Sequence, residues 1–355
     1  MSLSYRAVDW NRQKKIYSLT ATGLIVLFMA LYGAVTLLVS PDFTLETVII
    51  RGTSLAALLI LHFILCIGPL ARLDRRFLPL LYNRRHLGVM MFLLALIHGV
   101  FAVIQFHALG NDNPLVSVFS SYRMDYRLTA DGSLRIAHFP FEPLGVGALL
   151  IFFVMAATSH DFWLRNLGAA FWKALHLGVY VAYALVLGHV ALGVLQTERS
   201  AVFPILVLAG FTLVAGLHVA AGWKERRLDA SRAAAERDGF EETCLASEIA
   251  EGRAAVVLAG GVRVAVWRHK DRFHATSNTC RHQGGPLGEG RIIDGCITCP
   301  WHGWNYQPED GCSPPPFKEV VETHAVRLLE GRVWVQAKPN QLKVHNPGVA
   351  DEVLK

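Results

Sequence analysis

The chain has 355 residues, 53% of them hydrophobic and only 17% charged, and a net charge of +6. That composition argues against an ordinary soluble protein. The basic residues flank long apolar runs and form no single patch, so membrane topology accounts for them and nucleic-acid binding does not.

Taken in chain order, apolar segments near 17–39, 52–72, 87–106, 143–159, 171–195 and 202–222 each approach the roughly 20 residues needed to cross a bilayer. They predict an all-α membrane bundle of six helices over 1–223. Lys and Arg collect before the first run (Arg6, Arg12, Lys14, Lys15) and between the second and third (Arg72, Arg75, Arg76, Arg84, Arg85). They collect again between the fourth and fifth (Arg165, Lys173) and after the sixth (Lys224, Arg226, Arg227). All four groups fall on one side, which is expected to be cytoplasmic, with both termini. The segment between the third and fourth runs also holds Arg123, Arg127 and Arg135 and dissents from this pattern. The first run follows a basic leader, is long enough to span and carries no convincing cleavage site, so no secretory signal is expected.

Residues 224–241 are charged and Ala-rich and read as a linker. Beyond them, 242–337 shows strand-type composition punctuated by Gly and Pro, which predicts a small all-β domain, and 338–355 forms a tail. Cys66 falls in an apolar run. Cys244, Cys296 and Cys312 show no spacing of the secreted disulfide kind, so the compartment reads as reducing, and Cys296 and Cys312 read as ordinary buried thiols.

The strongest signal is C-R-H at 280–282 followed by C-P-W-H at 299–302. A Cys-x-His pair and a Cys-x-x-His pair on two loops supply one thiolate and one imidazole each, the donor set of a Rieske [2Fe–2S] centre. A Cys2His2 zinc site is the alternative, but zinc fingers pair Cys with Cys and His with His. The expected ligands are Cys280, His282, Cys299 and His302. This stretch resembles the Rieske ferredoxins and the Rieske domains of ring-hydroxylating dioxygenases. The resemblance implies that the two cysteines hold one iron and the two histidines the other, and that DGCSPPP at 310–316 is the proline loop over the cluster. Gly285 and Trp301 stand where the cytochrome bc family has a disulfide, so none is expected here.

Imidazoles inside membrane spans are costly and usually functional. His86 and His98 lie 12 residues apart in the third run, and His176 and His189 lie 13 apart in the fifth. At 1.5 Å per residue these steps are about 18 and 20 Å, so the two helices offer imidazoles at two matching depths, the arrangement for stacked bis-His haems. The 12-residue step turns roughly 120° around the helix, so His86 and His98 do not share one face. His62 and His218 are alternative inner ligands. His107 and His160 read as interfacial.

NRRHLGVMMFLLALIHG at 83–99 and LGVGALLIFFVMAATSHDFWLRNLGAAFWKALHLGVYVAYALVLGH at 144–189 resemble the ferric-reductase-like transmembrane family, in particular the haem-binding membrane subunit of a bacterial methionine-sulfoxide reductase system. That resemblance carries haem b ligation onto His98, His176 and His189, and leaves His86 without support from that subfamily. It implies one or two haems and a bacterial cytoplasmic membrane, and leaves a bound flavin open. The two halves together point to transmembrane electron transfer. The donor would be a cytoplasmic flavoprotein or ferredoxin, the acceptor an outer-side species or a quinone, and the oligomeric state is open. A membrane oxygenase, or a redox sensor without net electron flow, is the alternative. No separate catalytic residue is expected.

Overall fold

The structure, a computed structural model, describes residues 12–81, 83–108, 113–124, 141–159, 163, 167, 169–197, 200–230, 236–301 and 303–350. His302 lies outside the described residues, as do His160, Arg6, Arg127, Arg135 and Arg165.

Seven helices of 11 residues or more occur among the described residues: α1 (Arg12–Val39), α2 (Leu45–Leu73), α3 (Arg84–Val103), α4 (Pro114–Met124), α5 (Glu142–Ala157), α6 (Ala169–Leu192) and α7 (Val202–Ala230). Five of them, α1, α2, α3, α6 and α7, are long and apolar enough to cross a membrane. The expectation of six equivalent spans therefore needs correction. The fourth predicted span is α5, apolar but only 16 residues long. That is about 24 Å of helix, short of a hydrocarbon core of roughly 30 Å. Pro143 sits in its first turn, where a missing N–H costs nothing. At its other end Thr158 Oγ1 donates to Val154 O at 2.7 Å and Ser159 Oγ to Met155 O at 2.6 Å, engaging carbonyls of the last turn. The additional helix, α4, falls in the segment between the third and fourth predicted spans. Asn113 Oδ1 accepts from Leu115 N at 2.9 Å and starts it.

The chain divides into two compact units. One holds the membrane helices between residues 9 and 68 and between 83 and 218. Within it α3, α5 and α6 pack side by side, with the Phe92 and Phe153 rings 6.1 Å apart.

The other unit joins residues 69–81 to the chain from Val219 onward. Lys224 Nζ donates to the carbonyls of Arg72 (2.6 Å) and Leu73 (3.2 Å), so a cation covers the open end of α2. The rest of this unit is antiparallel β-structure. One sheet has the order β1 (Glu236–Arg237), β2 (Phe240–Leu245), β11 (Arg332–Gln336), β10 (Val326–Leu329). A second runs β12 (Val349–Ala350), β5 (Arg272–Ser277), β4 (Val262–His269), β3 (Ala254–Ala259), with β9 (Thr323–His324) also on β5. The third and smallest is β6 (Arg291–Ile293), β7 (Cys296–Thr298), β8 (Asn305–Tyr306). Arg263 of β4 pairs with Glu225 near the end of α7.

Strand β4 shows how the sequence builds two cores from one strand. Its alternate residues Val264 and Val266 join Phe273, Val333 and Val335 in one cluster. Ala265 and Trp267, on the opposite face, join Leu287, Ile297, Tyr306, Cys280 and Cys299 in the other. The expected metal-binding sulfurs are thus built into a hydrophobic core. The β6–β7 turn, Asp294-Gly295, has positive φ at both residues (50° and 79°). That is the two-residue hairpin that matches strand twist, and it brings Cys296–Thr298 back across β6 and so places Cys299.

Candidate metal centres

The two cysteine loops repeat one backbone turn. Gly284 N donates to Cys280 O (2.7 Å), and Cys280 N to Gly285 O (2.8 Å). Gly303 N donates to Cys299 O (2.9 Å), and Cys299 N to Trp304 O (2.8 Å). The fourth residue after each cysteine is thus a glycine, with φ of +70° and +69°, a conformation that side-chain-bearing residues rarely adopt. Two equivalent turns present two thiols to each other.

Both cysteines are 1% exposed. The hydrogen bond with Cys299 holds the Cys280 thiol down to about 7, against the upward push of burial and with help from Tyr306 and the loop N–H groups. A thiol poised there readily supplies the thiolate that iron needs. Tyr306, at 0% exposure, places its hydroxyl 3.4 Å from Cys280 Sγ and accepts from Arg281 N at 3.0 Å. Burial, and next the Cys280 sulfur, push the Tyr306 phenol up, so it stays a neutral donor.

His282 is stacked on Trp304, centroids 4.0 Å apart and planes 9° from parallel. Trp304 is itself held by its indole N–H to Ser313 Oγ (3.0 Å) and by the Phe317 ring. Ser313 and Phe317 flank the prolines of the segment expected to cover the site. Gly285 leaves no room for a side chain: an added Cβ would lie 2.9 Å from Cys299 Sγ and 3.1 Å from Trp301. The donors, their burial and this close backbone fit a [2Fe–2S] cluster. Cys296 is buried as expected, whereas Cys312 is only partly so, and both are free thiols. The roles of Trp304 and Tyr306 were missed in the sequence, although they stand five and seven residues after the second cysteine.

In the helical unit, His98 and His189 come together, ring centroids 6.2 Å apart. Each has its Nδ1 on a backbone carbonyl, His98 on Ile50 O (3.1 Å) and His189 on Phe141 O (2.9 Å). Such bonds fix ring orientation and leave Nε2 for a metal. Gly145 makes room for the His189 ring, since a Cβ there would lie 2.8 Å from Nδ1. His176 also sends Nδ1 to a carbonyl, Trp172 O at 3.0 Å, and stacks on the Trp172 ring at 3.7 Å. Its Nε2 is buried with no partner. His86 is the third residue of α3, 12 residues from His98.

Of the alternative ligands, His218 uses both nitrogens, on Tyr180 Oη and Val214 O, each at 2.9 Å. His62 is 7% exposed and its Nε2 has no partner. It meets the Tyr183 ring edge-on at 5.5 Å, and Gly210 clears space for it. Tyr183 was not singled out in the sequence, and its buried hydroxyl also lacks a partner. His107 is tied to Ser117 Oγ at 2.9 Å.

Comparison with known proteins meets this geometry in both halves. Residues 240–325 match the Rieske [2Fe-2S] domain, and residues 51–187 match the ferric reductase like transmembrane component. The second match includes His62, His86, His98 and His176 and ends two residues before His189. The ferredoxin subunit of anthranilate 1,2-dioxygenase from Burkholderia cepacia is 33% identical over 89 residues, 25% of this chain and 82% of that protein. Chlorophyllide a oxygenase of Oryza sativa subsp. japonica is 36% identical over 76 residues, 20% of this chain and only 14% of its own length. Among solved structures, the complex of reduced oxygenase and oxidized ferredoxin in carbazole 1,9a-dioxygenase includes a chain 28% identical to this one. The match covers 29% of this chain and 98% of that one, with a TM-score of 0.27. The chain thus carries a ferric reductase like transmembrane component over residues 51–187, with helices long and apolar enough to cross a membrane, and a Rieske [2Fe–2S] domain over residues 240–325.

Proposed function

We propose that this chain conducts electrons across a bacterial cytoplasmic membrane. It would take them from a flavoprotein or ferredoxin on the cytoplasmic side and release them to an outer-side acceptor or a quinone. The observation that carries this reading is the facing of His98 and His189, each oriented by a backbone carbonyl, in a chain that also holds a Rieske domain. With their ring centroids 6.2 Å apart, the two imidazoles would together hold one haem iron.

In this reading Cys280 and Cys299 hold one iron of the cluster, and His282 and His302 the other. His98 and His189 hold a b-type haem. His176, with His86 or His62, holds a second at the inner depth. Bound cluster and haem supply one-electron couples. The chain's own contribution is to fix the ligands, exclude water and set potentials. Tyr306 and the loop N–H groups stabilise negative charge on Cys280, and the apolar packing of Trp267, Leu287 and Ile297 keeps solvent from the sulfurs. The Lys and Arg residues around residues 72–85 and 224–227 support a cytoplasmic position for the Rieske domain.

The test is purified protein in liposomes loaded with ferricyanide, with an impermeant reductant outside. The trapped ferricyanide should be reduced, with haem b present at one or two per cluster. Haem-free protein, from cells supplied with haem, or liposomes no faster than protein-free ones, would sink the proposal.

A further inference from the structure

Gln283 lies between the expected iron ligand His282 and Gly284 and is 2% exposed. Burying a carboxamide is unfavourable unless both of its ends find partners. Its Nε2 lies 3.4 Å from His282 Nε2, while its Oε1 is buried with no hydrogen-bond partner among the described residues. One end is thus satisfied and the other is not. The pairing also suits only one tautomer, because His282 Nε2 accepts a hydrogen bond only when the ring proton sits on Nδ1.

Iron binding reverses that requirement. Nε2 faces Gln283, so the nitrogen left for iron is Nδ1, which is buried. A metal at Nδ1 moves the ring proton to Nε2, where it would confront the amide N–H group. Half a turn about the last side-chain torsion of Gln283 preserves its shape and brings Oε1 to that position. The buried oxygen then gains a donor and the imidazole N–H gains an acceptor. Trp304 already sets the plane of the ring by stacking; what remains is rotation within that plane and the choice of tautomer.

We propose that Gln283 is a positioning residue for the cluster, whose Oε1 accepts the Nε2 proton of His282 when iron is bound at Nδ1. The proposal rests on the assignment of His282 as a ligand. Its consequence is electronic as well as steric, because an acceptor on the distal nitrogen makes the imidazole a stronger donor to iron. That favours the oxidised cluster over the reduced one.

The experiment compares parent, Gln283→Leu and Gln283→Glu as full-length, detergent-purified proteins. It reads the midpoint potential of the Rieske EPR signal and the nitrogen hyperfine couplings of its histidines. Gln283→Leu should be easier to reduce, by roughly tenfold in the reduction equilibrium, the worth of one hydrogen bond to a charged group. Gln283→Glu should be harder to reduce by at least as much, and in both variants the couplings of one histidine should move. Where the leucine variant fails to retain its cluster, the nearly isosteric glutamate variant decides. Parental potentials and couplings in the variants would overturn the proposal. A parent signal without histidine coupling would overturn the ligand assignment itself, and the role of Gln283 with it.

Discussion

In the β domain the two sulfurs are held by a pair of equivalent backbone turns, whereas in the helices each imidazole hangs on one hydrogen bond to a neighbouring carbonyl. Around Cys280 and Cys299 several polar groups are engaged with one another, Tyr306 with Cys280 and with Arg281 N and Trp304 with Ser313, while Gln283 Oε1 is not engaged among the described residues. Among the helices, the Nε2 atoms of His62 and His176 and the hydroxyl of Tyr183 are buried with no partner among the described residues. The difference follows from the scaffolds. A loop can wrap backbone amides around a cluster, but a helix spends its amides on itself and can offer only side chains, spaced along its length.

If the two regions are separate modules, their losses should be separate too, and these are the largest effects expected. Cys299→Ser should abolish the Rieske EPR signal and leave the haem absorbance in place. His98→Ala and His189→Ala should remove haem and leave the Rieske signal. Loss of both signals in either class of variant would break the comparison. Two glycines probe the same contrast more finely. In Gly285→Ala the new Cβ, 2.9 Å from Cys299 Sγ, presses on a sulfur fixed by the backbone. Cluster content should fall by about tenfold, as for other disturbed ligand shells. In Gly145→Ala the Cβ lies 2.8 Å from His189 Nδ1, but the ring can swing. Haem should be retained with a shifted spectrum, at a stability cost of roughly 1–3 kcal/mol, typical of overpacking. A variant at position 145 that loses haem as completely as His189→Ala would show the helical site to be as rigid as the β one.

Much of this contrast is written into residue spacing. The two Cys–His pairs and their glycines are local, so the cluster loops stand out in the sequence. The steps from His86 to His98 and from His176 to His189 nearly match in length, and helical rise alone then sets His98 and His189 at one depth. What stayed hidden depends on packing between distant segments. Trp304 stacks on His282 across 22 residues of chain, and Tyr183 gains meaning only against His62 on another helix. Helix α4 escaped because its 11 residues mix polar and apolar side chains and lack the run of a membrane span. The shortness of α5 was hidden for the opposite reason, since its apolar sequence carries no mark of where Thr158 and Ser159 turn back onto the helix.

Besides Gln283 Oε1, the β domain leaves a ring nitrogen of His274 buried and unmatched among the described residues, and this gives the smallest effect. His274 is 3% exposed and its Nδ1 has no partner. Burial, opposed weakly by Glu309, holds its imidazole down to about 4. An ordinary unfolded histidine titrates near 6.5, so the folded domain prefers the neutral ring. The stability this confers is complete above pH 6.5 and is lost progressively as the pH falls towards 4. Each pH unit in that window is worth about 1.4 kcal/mol, so the loss between pH 6.5 and 5 is roughly 2 kcal/mol. Thermal unfolding of the full-length protein, followed by the visible circular dichroism of the cluster, should show this as a fall in midpoint on acidification. In His274→Gln the fall should be shallower, while His324, common to both proteins, supplies what acid sensitivity remains. Parallel acid limbs in the two proteins would mean that His274 is already hydrated in the folded domain. Water would then satisfy the ring nitrogen, and no acid sensitivity would trace to its burial.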